Sequence, residues 1–185
     1  YSQARITKGR HMEGIIKAVC ISEKKGTAKK NVKEAVLEED HGIKGDAHAG
    51  KWHRQVSLLS EDRVKEFNER GGNAVPGDFG ENLLVAGIDF SHLPVGTIFS
   101  CGTVRLKMTQ IGKECHSHCE IYHRVGDCIM PREGGFAEVI AGGKIKVGDR
   151  MEVKQPQEND VLTVAVITLS DKGYAGQRKD TSGPR

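Results

Sequence analysis

The 185-residue sequence predicts a mainly β domain with one or two short helices, its strands closed as a barrel. Three observations lead there. Twenty-three glycines, against five Phe, three Tyr and one Trp, imply many turns and hence many short strands. Segments rich in Ile and Val recur between those turns. One stretch carries helix signals at both of its ends.

Residues 14–22 (GIIKAVCIS) read as a strand, and 24–30 as a basic, Gly-containing loop. In 31–40, Val32 and Val36 stand one helical turn apart, but their β-branching and even spacing favour a strand. Residues 42–51 form a loop dense in Gly, His and Asp. Residues 55–59 make the next strand, and Ser60 then stands as an N-cap. Glu61 and Asp62 occupy the first turn, Val64 and Phe67 share a face, and Gly71 ends the helix. Glycines 71, 72, 77 and 80 punctuate the loop that follows. Residues 97–109 predict a hairpin with Cys101-Gly102 at its turn and Val104, Leu106 and Met108 on one face. Residues 136–140 and 144–153 give two more strands around Gly142-Gly143.

The domain expectation is a leader of vector origin at 1–11, a β domain at 12–153 and a polar linker at 154–160. Residues 161–169 are apolar but for threonines, as in a fully buried strand, and 161–185 read as the truncated start of a second domain.

Composition of 37% hydrophobic and 29% charged residues fits a globular domain. The formal charge of +3 comes from Arg5, Lys8 and Arg10. Without them Lys and Arg fall from 28 to 25 and balance 25 Asp and Glu, so no general nucleic-acid footprint remains. No run of about 18 apolar residues exists to cross a membrane as a helix. Five cysteines, an odd number, and no secretory signal after Met12 predict a cytoplasmic protein with free thiols.

The densest chemistry is Lys113-Glu114-Cys115-His116-Ser117-His118-Cys119, with His123, Asp127 and Cys128 behind it. Cys115 or Cys119 could be a single thiolate that binds a soft metal or carries sulfur, activated by Lys113 or an imidazolium. Cys115, Cys119 and a histidine could instead form a tetrahedral zinc site. As buried cysteines they would be small hydrophobes. A second constellation spans 45–55, where glycines allow close backbone approach and Lys44, Lys51, His53 and Arg54 offer donors to phosphate. Asp46 could pair with Arg54 to hold the turn, or join His48 as a metal ligand, although two residues do not make a site. Asn82, at a strand entrance after Gly80-Glu81, offers a donor and an acceptor to a ligand or to a turn backbone. Arg132, between Pro131 and a Gly pair, is an anion contact or a solvated side chain.

Taken in order, these motifs resemble one family. Residues 44–50 (KGDAHAG), 54–59 (RQVSLL), 80–83 (GENL), 111–115 (IGKEC), 134–136 (GGF) and Gly148-Asp149 are similar to the MOSC family, named from the C-terminal part of molybdenum cofactor sulfurase. The resemblance implies a MOSC-type β-barrel that handles the molybdenum cofactor (molybdopterin). Cys115 maps onto the cysteine that ligates molybdenum or bears transferred sulfur. Asn82 fits a position lining the pterin, while Lys44, Asp46, His48, Lys51, Arg54 and Lys113 are the candidate cofactor-binding residues. The implied partners are a sulfur-donor desulfurase, since the chain has no pyridoxal-phosphate domain, and recipient molybdoenzymes. Reduction of N-hydroxylated compounds at bound molybdenum is the alternative activity, and a zinc-stabilised binding module the alternative without catalysis. Residues 164–173 and 180–184 resemble the start of a molybdopterin adenylyltransferase.

Overall fold

A computed structural model describes residues 12–113, 122 and 127–156. Cys115, Cys119, the histidines around them, and the 1–11 and 161–185 segments lie outside the described residues.

Seven strands close a barrel. They are β1 (Met12–Ile21), β5 (Val56–Ser60), β6 (Leu83–Ala86), β7 (Ile98–Cys101), β8 (Val104–Ile111), β9 (Gly135–Ala141) and β11 (Arg150–Lys154). The order β11-β7-β8-β9-β5-β6-β1 returns on itself through pairing of β1 with β11. Every neighbouring pair is antiparallel except β5 and β6, whose parallel register needs the crossover helix α1 (Glu61–Glu69). The short β2 (Lys30–Asn31) extends the end of β1, and β3 (Glu34–Glu38), β4 (Gly42–Ile43) and β10 (Gly143–Lys146) form a small second sheet. Helix α2 (Met130–Glu133) precedes β9.

Two cores explain why β5 is buried throughout. Its alternate side chains Val56 and Leu58 fill the barrel with Leu83, Val85, Phe99, Leu106 and Met108. Leu59 faces outward under α1, among Val64, Phe67, Phe79 and Leu84. A strand with both faces covered has no exposed side, so even its serines, Ser57 and Ser60, are buried. Each such side chain contributes about 1.5–3 kcal/mol on burial. In β1 a register shift between Ile16 and Ala18 breaks the alternation, so Ala18 and Cys20 join the outer core while Val19 points in.

The mainly β barrel, the hairpin at Cys101-Gly102 and the helix after Ser60 match the sequence expectation. Two local expectations need correction, and a third holds in position alone. Ser60 stands at the N-cap of α1 with extended backbone, yet its side chain makes no capping bond. The 31–40 segment is interrupted at Lys33, whose φ of 70° follows from its N–H donating to Asn31 Oδ1 at 3.0 Å. The 144–153 segment is two strands, because Asp149 Oδ2 accepts the Lys146 N–H at 2.9 Å and Gly148 turns the chain.

Arg63 on α1 ties three segments together, reaching Asp89 at 2.5 Å, Glu66 at 3.0 Å and Glu133 of α2 at 3.4 Å. Partial burial alone would raise the Asp89 pKa, but bonds from Ser91, Arg63 and His92 outweigh it and hold the carboxyl near about 2. A depressed acid stabilises the fold above its ordinary pKa and loses that contribution as pH falls towards 2. Because the pair is partly exposed, we expect Asp89→Asn to cost only about 1 kcal/mol at neutral pH and nothing near pH 2, measured by urea denaturation. An equal cost at both pH values would contradict the ion-pair account.

Candidate functional site

One end of the barrel carries several of the sequence-predicted residues. The registers place Cys20, Asn82, Ser57, Phe136 and Gln110 side by side across β1, the start of β6, β5, β9 and β8. The loops carrying residues 45–55 and Lys113 attach to this same rim.

Asn82 joins the strands. Its Oδ1 accepts the Ser57 N–H at 3.0 Å and the Ser57 hydroxyl at 2.9 Å, and its Nδ2 donates to the Cys20 carbonyl at 2.9 Å. The side chain is buried, so its polar ends orient protein groups. Asp46 is also buried. Both of its oxygens take Lys29 Nζ, at 2.6 and 2.7 Å, and it accepts the N–H groups of Ser22 and His48. Burial alone would raise its pKa; Lys29, Ser22 and Asn82 reverse that and lower it. The partner of Asp46 is therefore Lys29, not Arg54, which corrects the turn pairing offered from sequence. Lys29 Nζ also lies 3.3 Å from His48 Nδ1. The His48 ring is part-exposed, and burial with the Lys29 ammonium pushes its pKa down; Lys25 and Lys113 push the same way. His48, Lys113 and Lys25 thus share one electropositive neighbourhood.

Arg54 stands beside it. Its guanidinium lies 4.8 Å from the Trp52 ring centroid and 5.7 Å from that of Phe136. Its Nε is buried without a hydrogen-bond partner among the described residues, although guanidinium N–H groups are strong donors. Trp52 is braced by donating to the His48 carbonyl at 3.0 Å. Next to it, His53 Nε2 is 3.0 Å from Gln110 Oε1, and the Thr109 hydroxyl bonds the His53 carbonyl. Lys44 and Lys51 are well exposed and reach Glu38 at 3.8 Å and Asp40 at 3.3 Å. Arg132 pairs with Asp127 at 3.0 Å.

The thiols separate clearly. Burial first, then Glu81, push the Cys20 thiol up to about 12, and burial with Asp149 pushes Cys101 up to about 11. Both are protonated packing residues at neutral pH. Among the described residues no three His, Cys, Asp or Glu side chains gather to hold a metal. Asp46 with His48 is therefore a Lys29-bound pair and not a described metal cluster.

Sequence reasoning missed Lys29 and the burial of Glu81. Lys29 sits in a run of lysines at 24–30, and nothing in the one-dimensional pattern separates it from its solvated neighbours. Gly77 gives the only clue: its N–H binds Glu81 Oε1, its carbonyl takes the Lys29 N–H, and a Cβ there would lie 2.0 Å from the Lys29 carbonyl.

A β-barrel with a cation-rich rim is the class of protein this geometry defines. Residues 45–152, more than half of the chain, match the MOSC domain model, and the chain belongs to that family. Members of the MOSC family are associated with molybdenum cofactor binding or sulfur transfer. The fold is similar to that of YuaD from Bacillus subtilis, with a TM-score of 0.68, 20% identity and coverage of 80% of this chain and 99% of that one. YiiM from Escherichia coli gives a TM-score of 0.55 at 22% identity, covering 85% of this chain and 73% of the other. YiiM from Geobacillus stearothermophilus gives 0.55 at 16%, covering 80% and 76%. No curated protein sequence matches significantly. No helix among the described residues is long and apolar enough to cross a membrane.

Proposed function

We propose that this rim binds the molybdenum cofactor, or its molybdopterin precursor, and that Cys115 ligates the metal or carries sulfur for transfer. The carrying observation is the buried Arg54 Nε, unpartnered among the described residues, on a guanidinium packed near two aromatic rings. An anionic oxygen would satisfy that donor, so the residues present suit a phosphorylated group. When bound, the cofactor supplies a molybdenum centre that accepts a soft thiolate ligand.

The chain's own residues do the rest. Arg54 binds the phosphate, with Lys113 and His48 adding positive character and a donor. Lys44 and Lys51, exposed beyond the rim, steer the anion inward. Asn82 and Asp46 act by orienting Ser57, the end of β1 and Lys29. Lys113, two residues before Cys115, raises the thiolate population of that cysteine. A desulfurase as donor and a molybdoenzyme as recipient complete the proposal, in the cytoplasm.

Loading tests this reading. The full chain is incubated with molybdenum cofactor and desalted, and its pterin and molybdenum contents are measured. Arg54→Met is expected to weaken pterin retention about 10- to 100-fold, the equivalent of one charge-assisted hydrogen bond. Cys115→Ser is expected to keep pterin and lose molybdenum or transferable sulfur. Loading of Cys115→Ser equal to that of the parent overturns the ligand role.

A further inference from the structure

The buried Lys29–Asp46 pair needs a reason beyond stability, because removing two charges from water is costly. Its geometry supplies one. An ammonium has three N–H donors and no acceptor. Two reach the Asp46 oxygens at 2.6 and 2.7 Å, and the third faces His48 Nδ1 at 3.3 Å. Only a lone pair on Nδ1 suits that third contact, since a protonated Nδ1 would set N–H against N–H. The Asp46 carboxylate also fixes the backbone here, accepting the His48 N–H at 3.3 Å. Trp52 holds the His48 carbonyl as well, donating to it at 3.0 Å. Nε2 has no partner among the described residues, and the ring is 35% exposed.

We propose that Lys29 and Asp46 are positioning residues that fix His48 as the neutral tautomer with its proton on Nε2, presenting that N–H as a donor to an anionic oxygen of a phosphomonoester at the rim. The assignment deepens the cofactor-binding reading and rests on it for the identity of the ligand. Its advantage is specific. A neutral donor beside Lys29, Lys25 and Lys113 binds the ligand without a further like charge in the cluster. Burial and Lys29 together lower the tendency of His48 to protonate, against the opposing pull of Asp46, which agrees with the same tautomer. No covalent step is involved: the proton stays on Nε2 throughout.

The test uses the full chain, 15N-labelled and free of ligand. Long-range 1H–15N correlation of the His48 ring, assigned by its loss in His48→Gln, is expected to show protonated Nε2 and bare Nδ1. The pattern should persist as pH falls below about 6.5, the ordinary histidine value. Asp46→Asn is expected to weaken that preference. Inorganic phosphate should then shift the wild-type Nε2 resonance. His48→Gln, whose amide nitrogen imitates Nε2–H, should hold phosphate within about three-fold of wild type, while His48→Phe should lose about ten-fold, as for a deleted hydrogen bond. A proton on Nδ1, an imidazolium at neutral pH, no phosphate shift, or equal binding by His48→Phe would each overturn the assignment. The tautomer is read without cofactor, so its failure is distinct from failed loading through Cys115.

Discussion

Lys29→Met is expected to destabilise the protein by about 3–5 kcal/mol, the cost of leaving a buried carboxylate without its counter-ion. The Lys29 and Asp46 side chains are 2% and 0% exposed, so water cannot replace the lost partner. Asp46 would keep only the N–H groups of Ser22 and His48 and the Asn82 amide. The cost is therefore chiefly that of an uncompensated charge, and neutralising Asp46 as well should return much of it. Lys29→Met combined with Asp46→Asn is expected to be more stable than Lys29→Met alone, a coupling that urea denaturation in a double-mutant cycle measures directly. Additive losses would mean that the two side chains contribute packing and not a paired charge.

The second large effect belongs to Glu81. It is completely buried, its Oε1 takes the Gly77 N–H at 2.6 Å, and its Oε2 has no partner among the described residues. Burial, reinforced by Asp78, overrides the backbone bonds and pushes the carboxyl up to about 7 from an ordinary 4.5. The folded state thus holds a proton that the unfolded chain releases. Stability from this group is complete below pH 4.5, drains away as pH rises to about 7, and is flat beyond. Over that window the loss should reach about 3.5 kcal/mol, at about 1.4 kcal/mol per pH unit. Glu81→Gln keeps the acceptor for Gly77 and cannot ionise, so it should remove the slope and be the more stable form at pH 8. A variant as pH-sensitive as the parent would place the titration elsewhere.

Much of the barrel was legible because period-2 alternation and turn glycines are local signals. The 97–109 hairpin shows this: Val104, Leu106 and Met108 point inward together, and Gly102 makes the turn. Helix α1 was legible for the same reason, with Val64 and Phe67 on one face and Gly71 beyond its end. What failed had two causes, short side-chain-to-backbone bonds and contacts distant in sequence. The break at Lys33 and the division of 144–153 depend on Asn31 and Asp149 side chains turning back on their own backbone, which composition does not display. The site was legible in its exposed parts, where glycine, histidine and arginine crowd together at 45–55. Its interior was not, since Lys29 meets Asp46 across 17 residues and looks like any lysine until burial is known. Asn82 has the same character: a polar residue at a strand entrance whose partners, Ser57 and Cys20, arrive on other strands.

The most direct test is the native mass of the full chain after exposure to the molybdenum cofactor and gel filtration. One phosphorylated pterin with molybdenum retained per chain, and its loss in Arg54→Met, is the predicted result. An unchanged mass, or zinc as the sole retained group as expected for a Cys115, Cys119 and histidine site, would contradict the proposal that this rim is built for a phosphorylated cofactor.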